Sequence, residues 1–238
     1  MSEGKPAAIA HRGAPDFAPE NTVSSFVTAA EQGADAIECD IWRSLDGKLI
    51  VNHDSTTGRV WSEDLVIEET DSKKLLSLNL GYGFRAAFNK YRNEHIPLFS
   101  EVLENTGDIP IFAELKSESP EALNDLFYEL EKHNAKDRVT VLSFNRDTVS
   151  FFLSKGYPSA WLIICDKSEV EELDIPDGAI ADICSSALTE DNVRALHERG
   201  ITVYAFTAKN EYDFDKLSSL GVDGVTCDNL SFIKSRQS

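Results

Sequence analysis

Glu38, Asp40 and His53 fall within one short stretch, Ala36 to Asp54, and their types and spacing could do chemistry. Asp46-Gly47 lies in the middle of it, a pair that accepts the backbone angles of a tight hairpin turn. The stretch therefore reads as two strands. Side chains alternate faces along a strand, so Glu38 and Asp40 share one face while Ile37, Cys39 and Ile41 share the other. Two carboxylates on one face of an otherwise apolar strand are costly unless a cation neutralises them. The returning strand, Lys48 to Asn52, delivers His53 beside the two acids.

Other strand ends carry matching chemistry. Ala7 to Ala10 ends at His11 and Arg12, and the strand read over Ile109 to Leu115 carries Glu114 with Lys116 just beyond it. Glu38, Asp40 and Glu114 offer an all-oxygen set suited to a hard divalent cation, Mg²⁺ or Ca²⁺, rather than Zn²⁺. The competing reading is an ion-pair network closed by Arg12 and Lys116. His11 and His53 suit a general acid and base, because imidazole gains and loses a proton near neutral pH. Arg12 and Lys116 suit a phosphate oxygen and the negative charge that grows during substitution at phosphorus. A metal, two fixed cations and an acid/base pair together point to phosphodiester cleavage. His95, His133 and His197 fall on a charged segment or on predicted helices and are assigned surface roles.

The elements that must position these residues follow a rhythm. Strands are expected at 7–10, from Ala36 up to the Asp46-Gly47 turn, and at 109–115, 139–142, 160–164, 179–183, 201–206 and 224–227, with an antiparallel return at 48–52. Helices are expected to open at Asn21 or Thr22, Ser119-Pro120, Asn145, Thr189 and Asn210, each a capping residue type, and another runs from Pro97 to Asn105. Gly33, Gly107, Gly156, Gly200 and Gly221 each close a helix before an apolar strand, the chemistry of a left-handed helix terminus. Alternating strands and helices demand parallel pairing with right-handed crossovers. Eight such strands in 238 residues imply one α/β domain over 1–238, a closed (β/α)8 barrel whose site lies at the C-terminal strand ends. An open doubly wound sheet is the alternative. The segment 55–95 interrupts the rhythm. It is rich in charge and in aromatics, Trp61, Tyr82, Phe84, Phe88 and Tyr91. It is read as an inserted subdomain, either a cap over the mouth or a decoration with a minor core.

Composition narrows the partners. A formal charge of −18 argues against nucleic acid and against stable association with an anionic membrane. No apolar run reaches the roughly 18–20 residues that cross a bilayer, and the first ten residues lack a secretory pattern. The four cysteines, Cys39, Cys165, Cys184 and Cys227, share no metal-ligand spacing and read as reduced packing residues of a cytoplasmic protein. Oligomeric state is not legible.

His11-Arg12-Gly13 with Pro19-Glu20-Asn21-Thr22, then Glu38-Cys39-Asp40 with Asp46-Gly47 through His53-Asp54, then Glu114-Leu115-Lys116, resemble the motifs of the glycerophosphodiester phosphodiesterase family. Gly221-Val222-Asp223-Gly224 extends the likeness towards the end of the chain. The resemblance implies a TIM barrel with a small insertion after the second-strand hairpin. It also implies hydrolysis of small glycerophosphodiesters, such as glycerophosphocholine, to sn-glycerol 3-phosphate and an alcohol. It implies that His11 and His53 are catalytic, that Glu38, Asp40 and Glu114 hold the metal, and that Arg12 and Lys116 lie near the phosphate. Family mechanisms often let a glycerol hydroxyl attack phosphorus first, giving a cyclic intermediate that water opens. Phe206-Thr207 and Cys227-Asp228-Asn229-Leu230 depart from the family's usual residues and are read as rim positions. Rival readings are a lysophospholipase D or phosphatidylinositol-cleaving enzyme, and a non-catalytic phosphodiester-binding protein on the same barrel.

Overall fold

Nine strands form one sheet in a computed structural model that describes residues 5–87 and 89–233. They are β1 (Ala7–Ala10), β2 (Ala36–Arg43), β3 (Leu49–Val51), β4 (Ile111–Leu115), β5 (Val139–Ser143), β6 (Ser159–Ile163), β7 (Ile180–Cys184), β8 (Val203–Ala208) and β9 (Gly224–Cys227). The order is β1-β9-β8-β7-β6-β5-β4-β2-β3, and β1 also pairs with β2. That last pairing closes eight parallel strands into a barrel; β3 runs antiparallel to the C-terminal end of β2, beyond the residues that pair with β1. Closure removes the open doubly wound sheet as an alternative. Phe88 and the polar tail from Lys234 lie outside the described residues.

Period-two alternation sorts the core into two layers. Ile37, Cys39 and Ile41 of β2, with Ile111, Ala113 and Leu115 of β4, pack outward against helix residues such as Phe26, Val102 and Leu126. Ile9, Ala36, Phe112, Leu142, Ala160 and Leu162 fill the barrel interior, joined by Ile180, Tyr204 and Phe206. Side chains of the opposite parity on β2 and β4 therefore project into the barrel, and Glu38, Asp40 and Glu114 are among them.

Helix ends follow the sequence closely. Thr22 caps the helix Val23–Gln32 by accepting from Ser25 N–H, and Gly33 ends it at φ 90°. Ser119, Asn145, Thr189 and Asn210 cap the later helices in the same way. Two strand starts move inward by two residues. The third parallel strand begins at Ile111 rather than Ile109, because Pro110 has no N–H to donate to the ladder. The seventh begins at Val203 rather than Ile201, because Ile201 N–H is spent on Leu196 C=O at the preceding helix end. The helix expected over 97–105 runs Phe99–Asn105.

The insertion after β3 has its own small core. Val60, Trp61, Ile67, Leu75, Leu78 and Leu80 pack with Ile50 of β3 and with Ile96. Trp61 is buried and Phe84 leans on the same cluster, whereas Tyr82 is 91% exposed. No described helix is long and apolar enough to cross a membrane.

Candidate active site

The chain leaves β1 at His11 and reverses at once. Arg12 holds φ 57° and Gly13 φ 88°. A Cβ on Gly13 would come within 2.5 Å of Ser25 Oγ and 2.8 Å of Ser25 C, so only glycine fits. A left-handed Arg12 is strained by about 1–3 kcal/mol, and its surroundings hold it there. Its N–H donates to Glu38 Oε2 at 2.9 Å, and its C=O accepts from Asn21 N–H at 3.0 Å. Asn21, itself at φ 55°, donates its side-chain amide to Asp40 Oδ2 at 2.8 Å. The first loop is thereby fastened onto the acids of β2.

Glu38, Asp40 and Glu114 are buried, and each presents an oxygen within 4.8 Å of the other two. Register explains part of this, since Asp40 lies directly beside Glu114 in the β2–β4 ladder. Lys116 Nζ sits 2.7 Å from Glu114 Oε2 and 3.1 Å from Asp40 Oδ1; Arg12 Nε lies 3.7 Å from Asp40 Oδ2. Burial opposes ionisation of Asp40, but Lys116, then His53 and Arg12, with the Asn21 bond, hold its pKa below the ordinary value. Glu38 goes the other way: burial, then the charge of Asp40, raises it. Glu114 is also raised, by burial against the pull of Lys116. Three buried carboxylates thus share two side-chain cations. The one hydrogen bond to Glu38 among the described residues is the Arg12 N–H, and Asp40 Oδ1 faces Lys116 without hydrogen-bond geometry. With all three ionised the cluster stays negative, and an all-oxygen donor set of this kind fits a hard divalent cation.

Both histidines are oriented by carboxylates. His11 Nδ1 lies 2.5 Å from Asp228 Oδ1, and His53 Nδ1 lies 2.7 Å from Asp54 Oδ1. Such a partner at Nδ1 leaves Nε2 as the working atom. Burial disfavours the charged form of His11, yet the Asp228 bond and the Glu38 charge outweigh it and raise its pKa. At His53 burial prevails over Asp40 and Asp54, and the pKa is lowered. A cavity of about 210 Å³ is lined by both imidazoles together with Arg12, Glu38, Glu114 and Lys116. Leu142, Phe144, Leu162 and Phe206 form its other wall.

A chain of charges joins the loops at this mouth. Arg12 Nη1 reaches Glu20 at 3.0 Å; Arg59 spans Glu20 at 2.6 and 2.8 Å and Asp54 at 2.5 Å. The insertion therefore meets the site through Arg59, and none of its aromatics lines the catalytic cavity among the described residues. His95, His133 and His197 pair with Glu101, Glu104 and Asp223 away from it.

The seven sequence-predicted residues thus fall at one mouth: six line one cavity, and Asp40 lies buried beneath it. Sequence reasoning passed over Asp228, treated as rim, although it directly follows β9, where strand-end logic already pointed. It also passed over Glu20, Asn21 and Asp54 as individual roles, and Arg59, which carries no local signal.

The model of the Glycerophosphoryl diester phosphodiesterase family matches residues 11–231. A glycerophosphodiester phosphodiesterase of Bacillus subtilis is 30% identical over 248 aligned positions, covering 91% of this chain and 81% of that protein. One from Caldanaerobacter subterraneus is 26% identical and covers 93% of both. Among solved structures, an Oleispira antarctica phosphodiesterase in complex with the product sn-glycerol-3-phosphate superposes with a TM-score of 0.85 at 27% identity, covering 98% of each chain.

Proposed function

The chain belongs to the glycerophosphoryl diester phosphodiesterase family, and from that premise we propose that it hydrolyses glycerophosphodiesters to sn-glycerol 3-phosphate and an alcohol. What carries the reading is the meeting of two carboxylate-oriented imidazoles and a buried three-carboxylate cluster at one barrel mouth. The product held by the Oleispira relative supports the same substrate class.

Glu38, Asp40 and Glu114 would hold a divalent cation, Mg²⁺ or Ca²⁺. Bound there, it would supply Lewis-acid stabilisation of charge on the phosphoryl oxygens. Lys116 has three ammonium protons; it bonds Glu114 and lies beside Asp40 as an ion pair, which leaves a proton for a phosphate oxygen. Arg12, fixed beside it, adds a second positive charge.

The opposite pKa directions of the histidines favour His11 as the proton donor and His53 as the proton acceptor, the complementary pair that acid/base catalysis needs. In the first step the glycerol hydroxyl oxygen bonds to phosphorus and its proton passes to His53. The phosphorus–oxygen bond to the leaving alcohol breaks, and His11 protonates that oxygen. In the second step water opens the cyclic diester: His11 takes the water proton, and His53 returns its proton to the glycerol oxygen. Asp228 and Asp54 keep each ring in its working orientation throughout.

The four cysteines, all free thiols, fit a reducing compartment such as the cytoplasm. The test of the whole reading is release of glycerol 3-phosphate across a panel of diesters and metals. Glycerophosphocholine or a similar small diester is expected to be cleaved, EDTA to inactivate, and Mg²⁺ or Ca²⁺ to restore. Turnover indifferent to chelation would remove the metal; lysophosphatidylcholine outpacing glycerophosphocholine would shift the substrate class.

A further inference from the structure

Asp182 is the one carboxylate on the far wall of the catalytic cavity. It sits in the middle of β7, between Leu162 of β6 and Tyr204 of β8 in the ladder. Its parity is that of Ile180, which packs in the barrel interior, so its side chain projects inward. It is 0% exposed. Neither carboxyl oxygen has a hydrogen-bond partner among the described residues. Its surroundings on that wall are mostly apolar, Leu142, Leu162 and Phe206, with Thr207 beside Phe206.

A buried polar group without a partner costs about 1–3 kcal/mol, and an unpaired carboxylate costs more. The other buried acids at this mouth are answered by Lys116, Arg12 or a backbone N–H. Asp182 has no hydrogen bond or ion pair among the described residues, yet it faces the cavity that receives the substrate. We propose that Asp182 is a specificity residue whose carboxyl hydrogen-bonds the terminal, non-attacking hydroxyl of the glycerol moiety, so that the enzyme selects diesters of a polyol over those of a simple diol. The inference rests on the reading of the site as one for glycerophosphodiesters.

The chemistry of the wall fits this ligand. Apolar side chains can pack on the carbon skeleton of glycerol, while a buried carboxyl among them reads a hydroxyl, the usual design of a small-molecule pocket. Burial, then the charge of Glu114, pushes the pKa of Asp182 up to about 8 against the opposing pull of His11. A carboxyl that keeps its proton offers both a donor and an acceptor, which matches an alcohol better than a carboxylate would. A site built around such a bond also rejects the analogue that lacks the hydroxyl, because the buried carboxyl is then left unpaired.

The test compares two substrates that differ by one hydroxyl. Glycerophosphocholine is set against the propane-1,2-diol phosphocholine diester, which keeps the attacking hydroxyl and lacks the terminal one. Wild type is expected to favour the glycerol diester in kcat/KM by about 10–100-fold. Asp182→Ala is expected to bring that ratio towards unity, mostly through KM on the glycerol diester. Asp182→Asn, isosteric and still able to hydrogen-bond, is expected to keep part of it and serves where the alanine variant does not fold. A ratio unchanged in a folded variant, or equal losses on both substrates, would overturn the proposal. If wild type cleaves neither diester, the proposed reaction fails on its own account. The affinities of sn-glycerol 3-phosphate and of propane-1,2-diol 1-phosphate for wild type and Asp182→Asn then still decide the role of Asp182.

Discussion

The wall of the cavity contributed by β1, β2 and β4 carries His11, Arg12, Glu38, Glu114 and Lys116, whereas the wall contributed by β5 to β8 carries Leu142, Leu162, Asp182 and Phe206. On the first wall almost every charge is answered by another, and the answers come from the next strand or the next loop. On the second, apolar packing dominates and a single carboxyl stands unanswered. The difference separates two tasks. Bond making and breaking needs charge held rigidly in place, which a network of mutual ion pairs supplies. Choosing among substrates needs shape and one well-placed hydrogen bond. The charged wall is expected to govern kcat and metal affinity, and the apolar wall to govern KM and substrate preference.

The strongest way to break this division is to remove an imidazole. His11→Ala or His53→Ala should lower kcat by about 10²–10⁴-fold while the far-ultraviolet circular dichroism stays that of wild type. A variant retaining near-normal release of glycerol 3-phosphate would dissolve the contrast. Next in size is the support of the three-carboxylate cluster. Asn21→Gly removes the bond to Asp40 and keeps a residue tolerant of φ 55°. The metal concentration for half-maximal activity should rise by about 10–100-fold, read by titration with Mg²⁺ or Ca²⁺, with kcat at saturation much less affected.

A smaller effect tests how His11 is poised. The Asp228 bond raises its pKa above 6.5, so Asp228→Asn should lower it. In the proposed mechanism loss of the His11 proton sets the alkaline limb of the pH–rate profile, which should then move to lower pH. The acid limb, set by His53 below 6.5, should stay in place. Movement of the acid limb alone would reverse the roles of the two histidines. On the apolar wall, Phe144→Ala removes a ring stacked edge-on against Phe206 at 6.1 Å. It should raise KM about tenfold or less and leave kcat nearly unchanged.

The last prediction concerns stability. The native pKa of Asp182 is about 8 against an ordinary 3.8. Between those values the folded carboxyl holds a proton that the unfolded chain has released. The folded state then binds more protons, and its stability falls as pH rises through this window. Asp182→Asn has no such proton to lose. The Tm of the variant minus that of wild type should therefore grow from about pH 4 towards pH 8.

Much of the charged wall was legible before any coordinates. Period-two alternation put Glu38 with Asp40 and Glu114 with Lys116, and hairpin chemistry at Asp46-Gly47 returned His53 towards them. Each of those signals spans a few residues. The apolar wall was mostly not legible: Leu142 and Leu162 look like any strand residues, and Phe206 stood out only through the family resemblance, as a rim position. The insertion was half legible: its aromatics announced a minor core around Trp61, but the contact that matters to the site is made by Arg59, one charged residue among many.

The eight-strand rhythm, the capped helices and the type of chemistry were determined by sequence alone, because they follow from local geometry and from which residue types can hold a metal or a proton. The tertiary structure alone decided which charges are answered. His11 and Asp228 are 217 residues apart in the chain, and only the pairing of β1 with β9 brings them together. Asp182 looks like an ordinary acid between apolar neighbours. Its loneliness is a property of the closed barrel, since whether a carboxyl finds a partner depends on every strand around it and on none of its neighbours in sequence.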